Sequence, residues 1–133
     1  MTDAKTQRRN LEVVMTMAEN GIKGRWDIVR TYVADDIVLR VPESLPWGGE
    51  RRGWDGYQQA LLIMGEFFAE FDTADATFTP VDDTIVIRMN ISGRVAATGK
   101  AVSMPLLEVW QLRDEQVCDI TAFFFDTKAL VDP

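Results

Sequence analysis

Leu11, Val14, Met15 and Ala18 recur at steps of three and four, the stripe of an amphipathic helix, and predict a first helix from near Asp3 to a stop at Asn20-Gly21. In "GRWDIVRTYVADD" a shorter pattern puts Trp26, Val29 and Val33 on one face. It predicts a second, short helix, after which the acidic pair starts a new direction. Residues 37 to 42, "IVLRVP", are β-branched and end at a proline, which reads as a strand running into the turn-rich loop "ESLPWGGERRG". Tyr57, Leu61, Met64, Phe68 and Phe71 then step by four and three through "GWDGYQQALLIMGEFFAEF", predicting a third helix, the longest buried one, with large side chains.

From residue 75 onward the period changes to two. The segments "ATFTPV", "TIVIRMNISGRVAA", "AVSMPLLEVWQL" and "VCDITAFFF" read as four strands, with turns at Asp82-Asp83, Thr98-Gly99 and Asp114-Glu115. Successive hairpins make an antiparallel meander, so the pattern predicts an α+β domain in which helices cover one sheet face. The meander is apolar on both faces: Leu107, Val109, Phe123 and Phe125 oppose Leu106, Trp110, Ala122 and Phe124. The face turned from the helices therefore predicts an association surface, most simply a homodimer.

Composition narrows the function classes. At 133 residues and 47% hydrophobic content the chain has the size of one domain, read here as spanning 1–133. A net charge of −7 and scattered basic residues argue against a nucleic-acid or anionic-membrane partner. The N-terminal "MTDAKTQRRN" lacks a signal-peptide core and no apolar run has membrane-spanning length, so a cytoplasmic location is expected. With no histidine and Cys118 as the sole cysteine, no disulfide and no metal site are expected. No glycine motif matches a phosphate cradle, and no cofactor is expected.

One residue breaks the apolar run "MPLLEVWQL": Glu108 shares its strand face with Met104, Leu106 and Trp110. A carboxyl held in apolar surroundings has its charged form desolvated, which raises its pKa and suits it to acid/base work near neutrality. The structural alternative is a packed stem whose head reaches Arg88 or solvent. Arg88 and Asn90 alternate to share a face of the long strand. They could bind a substrate oxygen beside Glu108, and a register slip of one residue would turn both outward. Asp126 is read as a cap for the following "TKALVD" turn, the alternative being a further acid of the site. Trp47 could fold over a cavity mouth as a lid or pack on Trp54.

The order of elements, with "LPWGGERRGWDGY" after the first strand, "ATGKAVSMPLLEVWQLRDEQV" in the meander and "FFFDT" at its end, resembles the SnoaL-like branch of the nuclear transport factor 2-like superfamily. The resemblance implies a cystatin-like, cone-shaped, curved antiparallel sheet wrapped around three N-terminal helices and enclosing an apolar cavity. It further implies a cavity wall of Met104, Leu106, Glu108, Trp110, Ala122 and Phe124, completed by Met15, Ala18, Leu39, Val41, Tyr57, Leu61 and Met64, with Trp47 at the mouth. Ketosteroid isomerases of similar outline carry an aspartate and a tyrosine where this chain has Val41 and Met15. Limonene epoxide hydrolases of similar outline keep an acid where it has Asn90 or Ala122. Neither activity is expected. SnoaL-like cyclases use an acid and a histidine, and without histidine Glu108 is left as the catalytic candidate, with Arg88 and Asn90 as its partners. The resemblance thus implies a cofactor-free enzyme acting on a small hydrophobic molecule by carboxylate chemistry, in a cyclisation, isomerisation, dehydration or hydrolysis. The alternative is a non-catalytic ligand-binding or dimerisation module of the same fold.

Overall fold

A computed structural model describes residues 2–132. Helix α1 (Ala4–Ile22) starts where the Asp3 carboxylate accepts a hydrogen bond from the Thr6 amide at 2.8 Å, satisfying a donor that the first turn leaves unpaired. Its buried face is Asn10, Val13, Val14, Met17, Asn20 and Gly21. Met15 is half exposed. The apolar stripe was thus misplaced by about one residue, because two asparagines sit on the inner face and break the hydrophobic signal. Asn20 is satisfied there by donating to the Thr16 carbonyl at 2.7 Å.

Helix α2 (Trp26–Tyr32) is followed directly by strand β1 (Val33–Val41), four residues earlier than residue 37 suggests. Within the expected loop, a short strand β2 (Gly49–Arg52) pairs back on β1. Gly48 makes the intervening turn possible: a Cβ there would lie 2.0 Å from the Pro42 carbonyl oxygen. Helix α3 (Gly53–Phe67) stops short of Phe71. Phe68 opens strand β3 (Phe68–Val81), whose ladder to β4 (Thr84–Val95) shifts register between Phe68 and Glu70. A bulge turns two residues three apart toward the same side, so the spacing of Phe68 and Phe71 is met by strand as well as by helix.

Strands β5 (Ala101–Arg113) and β6 (Gln116–Phe124) complete the meander, and the short helix α4 (Thr127–Val131) is capped by Asp126, which accepts from the Ala129 amide at 3.2 Å. The β3–β4 and β5–β6 hairpins turn at Asp82-Asp83 and Asp114-Glu115, as expected, and Asp114 and Glu115 both take positive φ, at 52° and 62°, which matches the twist of the flanking strands. The sheet order is β2-β1-β6-β5-β4-β3. It is mixed rather than wholly antiparallel, because β1 runs parallel to β6. That pairing brings the first strand beside the last, so helices α1 and α3 lie over the concave face. Val13, Val14 and Met17 of α1 and Ile85, Ile87 and Ile91 of β4 are buried in the core, with 0 or 1% exposure.

Candidate active site

Between the helices and the concave sheet lies a cavity of about 110 Å³. Alternation selects its sheet wall: Leu106, Glu108 and Trp110 on β5 sit opposite Met89, Ile87 and Ile85 on β4, and Phe124, Ala122 and Ile120 on β6. Leu39 and Val41 of β1, Tyr57, Leu61 and Met64 of α3, and Ala18 of α1 also line it. Trp47 folds in from the β1–β2 connection and is 2% exposed. Its ring lies 5.1 Å from Phe67, 5.7 Å from Phe68 and 5.7 Å from Phe124, and its carbonyl accepts from Arg51 Nε at 3.1 Å. It is a fixed part of the wall, and Trp54 stacks instead near Trp26 and Tyr57.

Glu108 has Ile87 and Ala122 as its lateral neighbours. Its carboxyl retains accessible surface, but that surface opens on the cavity, and protein surrounds the group closely. Its Oε1 accepts one hydrogen bond, from Trp110 Nε1 at 3.0 Å. Burial pushes the carboxyl's pKa above its ordinary value, and the indole N–H partly opposes this by favouring the charged form. Tyr57, also on the cavity wall, has its phenol pushed well above the usual range, first by burial and then by the nearby Glu108 charge. The site can therefore store a proton at Glu108 and offer a neutral phenol as hydrogen-bond donor.

Several expected site residues stand elsewhere. Arg88 and Asn90 are exposed on the convex face, where Arg88 pairs in register with Leu107 and Asn90 donates to Asp75 at 3.2 Å. The slip of one residue holds: Ile85, Ile87, Met89 and Ile91 form the inward series of β4, and their apolar character outweighs the two polar residues between them. Met15 points away from the cavity for the reason given above, and Met17, Gly21 and Ile22 supply the α1 lining. Met104 is buried on the same strand face, beyond the cavity lining. Phe71, Thr73, Met89, Ala60 and Ile120 were not anticipated. The alternation of β4, and of β6 from Ile120 to Phe124, carried the signal for Met89 and Ile120, whereas Phe71 and Thr73 depend on the bulge.

A SnoaL-like domain family matches residues 15–120. The chain belongs to the SnoaL-like family. None of the curated proteins matches it in sequence. Among solved structures, a nuclear transport factor 2-like protein from Burkholderia xenovorans is 21% identical, with a TM-score of 0.86 over 93% of this chain and 94% of the other. A candidate SnoaL-like polyketide cyclase from Jannaschia is 16% identical, with a TM-score of 0.85 over 100% and 99% of the two chains. TerC, crystallised with polyporic acid, is 18% identical, with a TM-score of 0.80 over 94% and 99%. At these identities the likeness establishes the nuclear transport factor 2-like, SnoaL-like fold. Among the described residues, no helix is long and apolar enough to cross a membrane.

Proposed function

We propose that this SnoaL-like chain is a cofactor-free enzyme that acts on a small hydrophobic molecule by carboxylate acid/base chemistry at Glu108, in a cyclisation, isomerisation, dehydration or hydrolysis. The observation that carries the reading is a carboxyl on the wall of an apolar cavity, with Ile87 and Ala122 beside it and a single N–H donor from Trp110. Desolvation moves such a group toward the pH at which it can both take and return a proton. The co-crystallisation of TerC with polyporic acid supports uptake of an organic molecule by this fold.

Exchange of the α-hydrogens of 2-butanone in D₂O, followed by proton NMR, tests the proton transfer directly. The wild type accelerates exchange, and Glu108→Gln lowers that acceleration by about 10² while the circular dichroism spectrum is retained. Equal exchange in the two proteins overturns the role of Glu108. A second reading, a passive ligand-binding or dimerisation module, is favoured by the cavity volume of about 110 Å³, below the ~300 Å³ at which pockets for drug-sized ligands begin. As a ligand-binding module it predicts 2-butanone binding without exchange, and as a dimerisation module neither binding nor exchange.

We also infer that two copies associate through the convex sheet face. Leu107, Phe123 and Phe125 are exposed there, Phe125 by 77%, beside Val109. Among the described residues these side chains stay uncovered, and apolar side chains of this size favour burial.

A further inference from the structure

The cavity shares part of its wall with a second space. A groove of about 500 Å³ lies between the C-terminal end of α1, α3 and β3, and Gly21, Ile22, Leu61, Met64 and Phe71 line both spaces. The cavity alone has room for the equivalent of three or four water molecules at ~30 Å³ each, enough for a functional group and a few carbons. The groove is within the range that holds a drug-sized molecule. A larger ligand whose reacting end reaches Glu108 finds further room next to the cavity on the other side of these shared residues.

Tyr57 marks the chemistry of the buried end. Its side chain is 3% exposed, and among the described residues its hydroxyl makes no hydrogen bond. Among the described residues no sealed side-chain oxygen or nitrogen lacks a partner, so this hydroxyl keeps open surface, and Tyr57 lines the cavity. Gly21 lies beside it: a Cβ there would lie 3.4 Å from the Tyr57 oxygen, in ordinary contact, and 3.3 Å from Leu61 Cδ2. A neutral phenol facing an apolar space is a donor awaiting an acceptor. The carboxyl of Glu108 faces the same space, with only Oε1 engaged.

We infer that cavity and groove form one binding site for an elongated, mainly aliphatic carbonyl compound, with its oxygen on the Tyr57 hydroxyl, its adjoining carbon toward Glu108 and its chain leaving through the groove past Ile22 and Phe71. This rests on the reading of the cavity as a ligand site and does not require turnover.

Calorimetric titration of the full chain with methyl ketones from 2-butanone to 2-decanone tests it. Affinity rises about threefold to fourfold per added CH₂ as the tail fills the groove. Tyr57→Phe weakens every member by about tenfold and leaves the increment per CH₂ intact. Ile22→Trp, a change at the exposed rim of the junction, weakens 2-decanone far more than 2-butanone. Constant affinity along the series in the wild type overturns the groove, unchanged affinity in Tyr57→Phe overturns the anchor, and absence of binding to any ketone overturns both. Ketone binding with a length increment but no α-exchange leaves this inference standing and removes the catalytic proposal. Exchange of 2-butanone without a length increment does the reverse.

Discussion

A carboxyl in an apolar wall couples folding to pH, and Glu108 does so with a definite sign. Its pKa in the folded chain is raised by burial, so the folded state binds the proton more tightly than the unfolded chain. Stability from this group is fully present below the ordinary glutamate pKa of about 4.5 and is lost as pH rises through the folded value. Glu108→Gln keeps the shape without the titration. It is therefore expected to remove this part of the pH dependence and to be more stable than the wild type above the folded pKa, as read from urea midpoints across pH. Trp110→Phe deletes the one N–H that favours the carboxylate. The carboxyl pKa is expected to rise further, measured by the carbon-13 shift of Glu108. A fall would mean that the hydrogen bond does not act on the charged form.

At the scale of elements, strand parity decides which side chains have any access to chemistry. β4 shows this within two adjacent positions, because Ile87 stands beside Glu108 while Arg88 stands beside Leu107 on the other face. Arg88→Ala is expected to leave both stability and 2-butanone exchange unchanged. Ile87→Ala, at a fully buried position, is expected to cost about 2–5 kcal/mol in urea unfolding, the range for losing a large core side chain. Loss of exchange in a folded Arg88→Ala protein would place the guanidinium in the reaction and contradict the parity. Helix α1 shows the same dependence with a period of 3.6. Asn10 and Asn20 are buried, so the helix rests on a face that hydrophobicity alone assigns to its neighbour, and Met17 replaces Met15 at the core.

At the scale of the molecule, the two sheet faces have different fates. The concave face is covered by α1 and α3, and the convex one keeps Leu107, Phe123 and Phe125 exposed. Analytical ultracentrifugation is expected to give a dimer for the wild type and a monomer for Phe123→Lys, with the far-ultraviolet spectrum unchanged. A monomeric wild type at micromolar concentration would remove the proposed interface.

Period and turn chemistry are local properties. They sufficed for the helices that open the chain, the hairpins at Asp82-Asp83 and Asp114-Glu115, the cap at Asp126, and the placement of Glu108, Leu106 and Trp110 on one face of β5. What only the tertiary structure decided is whatever depends on a partner far along the chain. The bulge between Phe68 and Glu70 is a register shift of the β3 ladder to β4, and Phe71 and Thr73 beyond it line the cavity. The parallel pairing of β1 with β6 makes the sheet mixed. The inward parity of β4 is set by the burial of Ile85, Ile87 and Ile91 under the helices, and it excludes Arg88 and Asn90 from the site. Tyr57 could be placed on the wall from sequence, but its unpaired hydroxyl could not, because a missing hydrogen-bond partner is a property of everything that surrounds a group.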